Sequence, residues 1–507
     1  MAQIFWLFLL WLFPKTVLSS ELQVNTGIAN KITLFLEFLL TPLVNFLAFL
    51  FLGAKLTILG YDLTLTIWGF PLLVIWLIAG GVFFTIKLRF VNLTLFSHAL
   101  KVVRGKYKEE TSDAPGKISH AQALFTAVSA TVGLGNIAGV AIAISLGGPG
   151  AVIWMMIAAF FGMSTKFAEV TLGHKYRKFD QEGHLLAGPF YYLESGLLKK
   201  NMPRLGKYLA IISAYCCVLG AIGAGLMFQA NQSVAIIADS FALNSFSKLL
   251  LVIILTLLLA FILLGGITRI AKITEKIVPF MAITYILCCL VILFFNYTQI
   301  PDAVLFMFYA AFNGDAFYGG VIGAIIQGVK RSAFSNEAGL GSAPIAHAAA
   351  KTKEPVREGA VAILEPFIDT IIICFMTGII IVVTGVYDSD ASGVLITRDA
   401  FATVSSWFPY LLSFIVFMFA FSTMLTYSYY GQQAWRFITK KADYRICHLV
   451  FAFFVFVGGM LKIGIIIDFA DILFLSMAVP NLIGLYILSG EIKDLTKSYI
   501  IRLKNNL

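Results

Sequence analysis

Long apolar stretches, each about the length that crosses a bilayer, are the feature that most constrains this chain. A membrane-spanning helix needs roughly 20 predominantly apolar residues, because the hydrocarbon core is about 30 Å thick. Hydrophobic residues make up 59% of the 507 residues and charged residues only 13%, a balance that soluble domains do not have. Membrane β-barrels are also disfavoured, since their strands alternate in polarity. We therefore predict an all-α polytopic membrane protein.

Eleven such stretches follow one another along the chain. They lie near residues 67–87, 120–145, 148–177, 208–238, 248–266, 277–296, 316–350, 359–385, 408–431, 446–466 and 472–489. Basic residues concentrate in every second connection, starting with the one between residues 87 and 108. Because basic connections stay in the cytoplasm, the pattern predicts an inner-membrane protein with its N-terminus outside and its C-terminus in the cytoplasm.

The two ends of the chain lie outside these stretches. Residues 1–20 are predicted to be a signal peptide, since an apolar segment is followed by small residues. Residues 21–66 are assigned to an extracytoplasmic or interfacial segment. Its apolar part, 31–53, is not counted as a span, because a full crossing there would place the first basic connection outside. The membrane domain is then 67–490, followed by a cytoplasmic tail at 491–507.

A short motif recurs at the start of two blocks of similar length, residues 120–296 and 316–489, which follow an extra first helix at 67–87. The motif S-x-x-x-G-L-G occupies residues 129–135 and 335–341. Glycine weakens a helix by about 1 kcal/mol relative to alanine, and irregular backbone at membrane depth lines a cavity. Because each block has five spans, the second enters the bilayer from the opposite side. The sequence therefore predicts an inverted five-plus-five repeat with two discontinuous helices, which is typical of secondary transporters.

The seventh stretch, residues 316–350, is too long for one straight crossing. Its interruption is expected either near Asn313–Gly320 or near Ser332–Asn336. We favour the second position, because the alanine-rich residues 343–350 can resume a helix and the motif lies there.

Longer sequence blocks point to one family. They are TVGLGNIAGVA (131–141), LGGPGAVIWMMIAAFFGMSTKFAE (146–169), GVKRSAFSNEAGLGSAPIA (328–346) and STMLTYSYYG (422–431). These blocks resemble the alanine or glycine:cation symporter family, and the broken first core helix resembles that of transporters with the leucine-transporter-type fold. The resemblance extends from about Trp68 to Gly490. It implies sodium-coupled import of alanine or glycine across the lipid bilayer by alternating access, with sodium as coupling ion and no cofactor.

A zwitterionic amino acid needs donors for its carboxylate and acceptors for its ammonium group. A helix that unwinds at Gly133 and resumes after it presents free N–H groups and the positive end of its dipole. We therefore predict that the backbone N–H groups of Leu134, Gly135 and Asn136 hold the carboxylate. The resemblance adds further predicted substrate contacts, for which the alternative is packing or an interhelical hydrogen bond: Gln229, Phe334, Thr423 and Tyr427.

Sodium prefers hard oxygen ligands. The resemblance implies one sodium site formed by the carbonyls of Ser129 and Val132 with the hydroxyls of Ser422 and Thr423. The alternative for the two hydroxyls is a hydrogen bond back to their own helix.

A second sodium is assigned, again by resemblance, to the Asn136 side chain and the Thr131 carbonyl. Two residues depart from the family pattern, since many members have Thr in place of Leu134 and Trp in place of Tyr427. These departures make the substrate less certain than the class of transporter.

Several charged residues fall within the predicted spans, where an unpaired charge is costly. For most of them we favour structural or gate-forming ion pairs; they are Lys166, Glu169, Lys330, Arg331, Glu337, Glu365 and Asp369. The alternative to sodium coupling is a proton-coupled or exchange-mode amino-acid transporter on the same fold, with a proton relay through Asp369. On sequence alone, Asp369→Asn is expected to keep sodium-driven transport.

Other classes of function are disfavoured by the sequence. Its six histidines lie mostly near span ends and form no H-E-x-x-H motif, so a membrane-embedded enzyme is not favoured. A phosphate-binding G-x-x-x-x-G-K-[ST] motif does not occur, nor does a repeated channel filter sequence. The net charge of +10 is explained by cytoplasmic connections rather than nucleic acid binding. The oligomeric state is left open.

Overall fold

A computed structural model describes residues 70–107, 116–262, 266–313, 320–441 and 443–505, with scattered residues between 33 and 67. For residues 262 and 266–273 only the backbone is described. The predicted signal peptide at residues 1–20 lies outside the described residues, as does most of the predicted interfacial segment.

The described chain is almost entirely helical, as its composition predicts. Its α-helices are α1 (Leu72–Lys87), α2 (Val91–Thr94), α3 (Phe96–Val103), α4 (His120–Thr131), α5 (Val140–Gly147), α6 (Ala151–Lys175), α7 (Pro189–Lys199), α8 (Pro203–Gly220), α9 (Gln229–Ser240), α10 (Ser245–Ile262), α11 (Gly266–Phe295), α12 (Ile300–Asn313), α13 (Gly320–Asn336), α14 (Ala343–His347), α15 (Pro355–Ala362), α16 (Leu364–Pro366), α17 (Phe375–Val383), α18 (Val394–Ala402), α19 (Phe408–Thr439), α20 (Arg445–Met460), α21 (Ile463–Leu475) and α22 (Ala478–Asn505).

Shorter elements connect or extend these helices. The π-helical segments are Gly135–Gly139, Ala221–Phe228 and Phe367–Cys374, and the 3-10 turns are Tyr297–Gln299 and Val386–Asp388. The strands form three antiparallel pairs: β1 (Leu56–Ile58) with β2 (Tyr61–Leu63), β3 (Thr66–Ile67) with β4 (Phe70–Pro71), and β5 (Lys178–Phe179) with β6 (Leu185–Leu186).

Length and apolar composition allow six of the described helical runs to cross a membrane. They are Ala151–Lys175, Pro203–Ser240, Thr274–Phe295, Pro355–Val383, Phe408–Thr439 and Ile463–Asn505. A seventh crossing is formed if α4 and the helix that follows it are taken together, since the two are bent by 52° at a short break. The chain is thus a polytopic membrane protein, whereas the count of eleven spans and the inverted repeat stay predictions.

Two element boundaries differ from those expected from the sequence. The first helix begins at Leu72 rather than near residue 67, because Thr66–Ile67 and Phe70–Pro71 form the β3–β4 pair. Residues 300–313, which were expected to connect two spans, form α12. One face of α12, with Ala303, Met307 and Ala311, is buried, which is the spacing of an amphipathic helix.

The second broken helix is interrupted slightly later than the favoured position. Helix α13 continues to Asn336, and the interruption extends from Glu337 to Ser342 before α14 begins. Glu337 takes a left-handed conformation with φ of 60°, and Gly339 and Gly341 have φ of 91° and 81°. Such angles are readily adopted by glycine, so the second G-L-G motif supplies the turn that ends α13.

The first interruption lies against the end of α13, just before the second interruption. The segment Gly135–Gly139 packs against α13 and against Phe367–Cys374, while α4 packs against α11 and α19. A Cβ atom on Gly135 would lie 3.3 Å from the Cα atom of Ser335, the first residue of the second motif. The fold therefore brings the two S-x-x-x-G-L-G motifs into contact.

Candidate functional site

The first interruption begins where α4 stops forming helical hydrogen bonds. The Val132 N–H still donates to the Val128 carbonyl at 2.7 Å, but Val132 then leaves helical geometry with ψ of 87°. Gly133 follows and lies directly against α19, since a Cβ atom there would be 2.4 Å from the Thr423 hydroxyl oxygen. Glycine is needed here for close packing, because no real Cβ atom tolerates that distance.

Both polar atoms of the Asn136 side chain form hydrogen bonds at the first interruption. Its Oδ1 atom accepts a hydrogen bond from the Gly133 N–H at 2.9 Å. Its Nδ2 atom donates to the Asp369 carboxylate at 2.7 Å and to the Asp369 carbonyl at 2.9 Å. Asn136 is fully buried, so it links the broken helix to the π-helical segment that contains Asp369.

Gln229 contacts the same interruption from the start of α9. Its Oε1 atom accepts from the Leu134 N–H at 3.1 Å, and its Nε2 atom donates to the Ala224 carbonyl at 3.1 Å. The Asn136 N–H donates to the Gly133 carbonyl at 3.2 Å. The expectation that the N–H groups of Leu134 and Asn136 are free is therefore wrong in this conformation: protein oxygens accept from both. The reason is that buried N–H groups need partners.

Three of the predicted sodium ligands lie together between α4 and α19. The Thr423 hydroxyl donates to the Ser129 carbonyl at 3.0 Å, and the Ser129 hydroxyl donates to the Ser422 carbonyl at 3.1 Å. The Ser422 hydroxyl instead donates to the Phe419 carbonyl of its own helix at 3.0 Å, which is the alternative interaction considered above. Thr426, one turn from Ser422, adds a hydroxyl that donates to the Ser129 hydroxyl at 3.0 Å.

The remaining predicted sodium ligands occupy the end of α4. Thr131 and Val132 are both buried, and the Thr131 hydroxyl donates to the Val128 carbonyl at 3.3 Å. The last carbonyls of a helix have no intrahelical donor, so these two residues place carbonyl oxygens beside the interruption. Phe419 and Thr426 were missed by the sequence analysis, although the i, i+4 spacing of Ser422 and Thr426 puts their hydroxyls on one face.

The two predicted pocket aromatics are close to the second interruption. The Phe334 ring centroid is 5.0 Å from that of Phe228 and 5.3 Å from that of Phe474. The Tyr427 ring lies 5.7 Å from Phe474, and its hydroxyl donates to Glu337 at the start of the interruption. Both aromatics are buried and form one apolar wall next to the contact between Gly135 and Ser335.

Asp369, which the sequence analysis considered only as a possible proton carrier, lies beside the first interruption. One carboxylate oxygen accepts from Asn136, and the other accepts from Ser335 at 2.6 Å and Thr370 at 2.8 Å. These donors are all neutral, and the carboxylate lies between the two interruptions. Its position four residues after Glu365 marked it as an intramembrane charge, but the contact with Asn136 depends on tertiary packing.

The favoured interpretation of other intramembrane charges as ion pairs is confirmed for four residues, Lys166, Lys330, Arg331 and Glu365. Lys166 lies 3.0 Å from Glu365, and Lys330 lies 3.1 Å from Asp471, which also pairs with Arg331. Buried charges persist in proteins when they are paired in this way. These ions are therefore structural links between helices.

The two remaining carboxylates brace the second interruption rather than pairing with a cation. Glu337 accepts from the hydroxyls of Tyr427 and Ser342. Glu169 accepts from the Gly341 N–H at 3.0 Å and from Asn481 at 2.6 Å. Hydrogen bonds to backbone N–H groups support a segment that has left helical geometry.

The candidate residues are closed off from solvent. The exposed fraction is 0% for Leu134 and Asn136, 1% for Thr423 and 3% for Gln229 and Tyr427. The π-helical segments of the described chain contain or adjoin Asn136, Gln229 and Asp369, and such segments occur frequently at functional sites. The arrangement is a buried polar centre between the two broken helices.

Replacing Gly133 by alanine is expected to lower uptake of the transported substrate by about 10- to 100-fold, since overpacking costs about 1–3 kcal/mol. The new Cβ atom would meet the Thr423 hydroxyl at 2.4 Å and the Gln229 side chain at 3.3 Å. Initial uptake rates at matched expression check this result. Gly139→Ala is the matched control, because its Cβ meets nothing closer than the Leu134 carbonyl at 3.9 Å. Wild-type uptake by Gly133→Ala would contradict this interpretation.

The chain is similar to known transporters over most of its length. The family model described as the sodium:alanine symporter family matches residues 55–507. A sodium/alanine symporter of Methanococcus maripaludis is 41% identical over 438 residues, which are 85% of this chain and 95% of the relative. A probable sodium/glutamine symporter of Bacillus subtilis is 35% identical over 84% of this chain and 87% of its own. A putative sodium/proton-dependent alanine carrier of B. subtilis is 37% identical over 73% and 76%.

Proposed function

Since the chain belongs to the sodium:alanine symporter family, we propose that it imports a small neutral amino acid, alanine or glycine, together with sodium by alternating access. Membership of this family makes the chain a transporter and not an enzyme. The observation that carries the proposal is the contact of two broken helices around Asn136 and Asp369. Discontinuous helices at a repeat interface are where such transporters bind substrate and ion.

The proposed architecture is the eleven-helix, five-plus-five inverted repeat in the cytoplasmic membrane. The two matching motifs and their contact at Gly135 and Ser335 support the repeat. The basic connections support an outside N-terminus and a cytoplasmic C-terminus. In this topology the two interruptions lie near the bilayer midplane, where a substrate can be reached from either side in turn.

The proposed substrate site uses the N–H groups that open at the first interruption. In the occluded structure the Leu134 N–H donates a hydrogen bond to the Gln229 side chain. When substrate enters, its carboxylate would take the place of Gln229 Oε1 at Leu134 and Gly135, near the positive end of the resumed helix. The released Gln229 oxygen is then available to the ammonium group. Phe334 and Tyr427 would limit the side chain to a small apolar group.

The proposed first sodium site lies between α4 and α19. The hydroxyls of Ser422 and Thr423 and the carbonyls of Ser129 and Val132 are oxygen ligands of the kind that a hard cation prefers. Two of these oxygens already share a hydrogen bond, since the Thr423 hydroxyl donates to the Ser129 carbonyl at 3.0 Å. A bound ion would replace that hydrogen bond and hold α4 against α19.

The proposed second sodium site is centred on Asn136, with the Thr131 carbonyl nearby. The Asp369 carboxylate, 2.7 Å from Asn136, adds a charged oxygen ligand to this site. Proton coupling through Asp369 is the second candidate, because this buried carboxylate is held by neutral donors. Sodium is preferred to a proton as the coupling ion, because several oxygen atoms lie close together at each of the two proposed sodium sites.

Sodium-dependent binding tests this proposal and its substrate. Purified protein is expected to bind radiolabelled alanine in sodium but not in potassium, with competition from glycine. Competition by glutamine alone would shift the substrate towards that of the B. subtilis relative. Equal binding in both salts would contradict sodium coupling at this site.

A further inference from the structure

A polar cavity of about 440 Å³ lies beside the start of the first broken helix. Its volume is within the range of about 300–1,000 Å³ that small-molecule sites occupy. Its apolar lining residues Val102 and Ile118 are buried, and none of its described lining residues belongs to the proposed substrate or sodium sites. We name it the basic cavity after three lining residues that come from separate parts of the chain: Arg104, Lys117 and Lys351.

Positive charge exceeds negative charge in the wall of the basic cavity. Arg104, Lys117 and Lys351 are all exposed, and no ion pair joins any of them to another described residue. Glu275 is the only carboxylate among the described residues that line the cavity, and it already accepts from Gln122 Nε2 at 2.9 Å. The three cations therefore lack a partner of opposite charge, and the wall favours an anionic ligand.

The start of α4 adds backbone donors to the same wall. The first three residues of this 12-residue helix, residues 120–122, all line the basic cavity. The Gln122 N–H donates to the Ser119 hydroxyl at 3.1 Å, whereas the first N–H groups of a helix have no acceptor within the helix. The positive end of the helix dipole also favours an anion. The helix end and the basic side chains thus favour a ligand of the same charge.

The segment that leads from α1 to the basic cavity has the composition of a membrane surface. Its exposed apolar side chains are interspersed with basic ones, namely Ile86, Lys87, Arg89, Phe90, Leu93, Leu100 and Lys101. Such a mixture is typical of segments that lie in the headgroup region. Helix α3 is about 12 Å long at 1.5 Å per residue, and Arg104 directly follows it. A lipid headgroup at this surface is therefore close to the cavity.

The basic cavity also lies where the two broken helices are joined away from their interruptions. Lys117 precedes α4, and Lys351 follows α14. The Lys117 N–H donates to the Ala349 carbonyl at 2.8 Å, and the Lys351 N–H donates to the Ile118 carbonyl at 2.9 Å. The two lysines carry like charges, which repel each other. An anion bound by both side chains would offset this repulsion and support the backbone hydrogen bonds.

We propose that the basic cavity binds a phosphate group, carried by an anionic lipid or by a soluble phosphate compound, and that binding holds the start of α4 against the end of α14. Phosphate pairs with arginine and lysine side chains and with helix N-termini. In the proposed orientation the cavity is cytoplasmic, and basic pockets on that side bind anionic headgroups. The neighbouring surface segment favours the lipid as the source. This binding goes beyond the transport function and does not depend on it.

Thermal unfolding of the purified full-length protein in detergent tests the binding. A ligand of the folded state raises Tm in proportion to its occupancy. Tm is therefore expected to rise with added phosphatidylglycerol but not with phosphatidylcholine of the same acyl chains, which has no net charge. A rise with sodium phosphate, compared with sodium chloride at equal sodium concentration and ionic strength, would identify a soluble phosphate compound as the source. No rise with either phosphatidylglycerol or phosphate would overturn the proposal.

Three variants locate the binding in the basic cavity. Arg104→Gln, Lys117→Gln and Lys351→Gln should each raise the midpoint concentration of the stabilising probe about fivefold, because each removes one basic contact. All three side chains are exposed, so the variants without probe should unfold at the wild-type Tm. Lys207→Gln is the control, since it removes an exposed lysine of α8 that does not line the cavity. A wild-type midpoint in all three cavity variants would contradict the assignment.

Amide hydrogen exchange tests whether binding holds the two segments together. The N–H groups of Lys117, Ile118 and Lys351 donate between them, so they exchange when the segments separate. With phosphatidylglycerol at about ten times its midpoint concentration, exchange should slow about tenfold in the wild type. At the same lipid concentration it should slow only about threefold in Lys351→Gln. Unchanged exchange, or equal slowing in phosphatidylcholine, would refute this effect of binding.

Discussion

Sodium-driven uptake of alanine is expected to fall by about 100-fold or more when Asn136 is replaced by alanine, because its three side-chain hydrogen bonds to Gly133 and Asp369, worth about 1–3 kcal/mol each, are lost. The Gly133 N–H loses its acceptor at 2.9 Å, and Asp369 loses its donor at 2.7 Å. Both groups remain buried, so each must find a new partner. The interruption would no longer hold the oxygens and N–H groups at the positions that the ion and the amino acid need.

A matched variant separates this effect from a general loss of stability. Asn92 is also fully buried, and its Nδ2 atom donates to the Phe160 carbonyl at 3.0 Å and not to a residue of the first interruption or to Asp369. Asn92→Ala and Asn136→Ala are both expected to lower the free energy of unfolding by about 1–3 kcal/mol. Initial uptake rates per folded transporter should fall only for Asn136→Ala. Equal uptake by the two variants would refute a role for Asn136 in transport.

Asp369→Asn is expected to abolish concentrative uptake or to raise the sodium concentration for half-maximal uptake by about tenfold or more. The change keeps the size of the side chain but replaces one oxygen by an NH₂ group. That group would face a donor, either Asn136 on one side or Ser335 and Thr370 on the other. The contacts therefore reverse the expectation from sequence, according to which this variant keeps sodium-driven transport.

The sodium dependence of uptake, measured with Asp369→Asn beside Asp302→Asn, distinguishes the two coupling hypotheses. Asp302 is an exposed residue in the first turn of α12, so its variant should behave as wild type. If Asp369 is a proton carrier instead, its variant should lose the uptake that a proton gradient drives, but it should retain alanine exchange that does not depend on sodium. That outcome would move the coupling role from sodium to protons.

The class of structure and the position of the first interruption could be predicted from local sequence. Apolar stretches predict helices in a membrane whatever their neighbours, because every backbone group must be satisfied within the helix. Gly133 and Gly135 likewise mark an interruption by themselves, and α4 ends at Thr131. The second interruption was placed a few residues early, because its turn depends on the left-handed Glu337. No composition pattern predicts that conformation for glutamate.

Partners in the candidate site could be predicted less well. Asn136, Gln229 and Thr423 were identified, and all three contact the first interruption or the residues beside it. Asp369 was named as a possible proton carrier, but its contact with Asn136 was not predicted, because the two residues lie 233 positions apart in sequence. The hydrogen bond from the Leu134 N–H to Gln229 was missed for the same reason, since only tertiary packing brings Gln229 Oε1 within 3.1 Å of that nitrogen. Local patterns identify where a helix breaks, and packing determines which side chains fill the gap.

The central claim, sodium-coupled import of a small neutral amino acid, is tested most directly by alanine uptake into proteoliposomes. An inward sodium gradient and an inward proton gradient are applied separately to the purified full-length protein. The account predicts accumulation of radiolabelled alanine above equilibrium with the sodium gradient and none with the proton gradient alone. Accumulation driven by protons in the absence of sodium would contradict it.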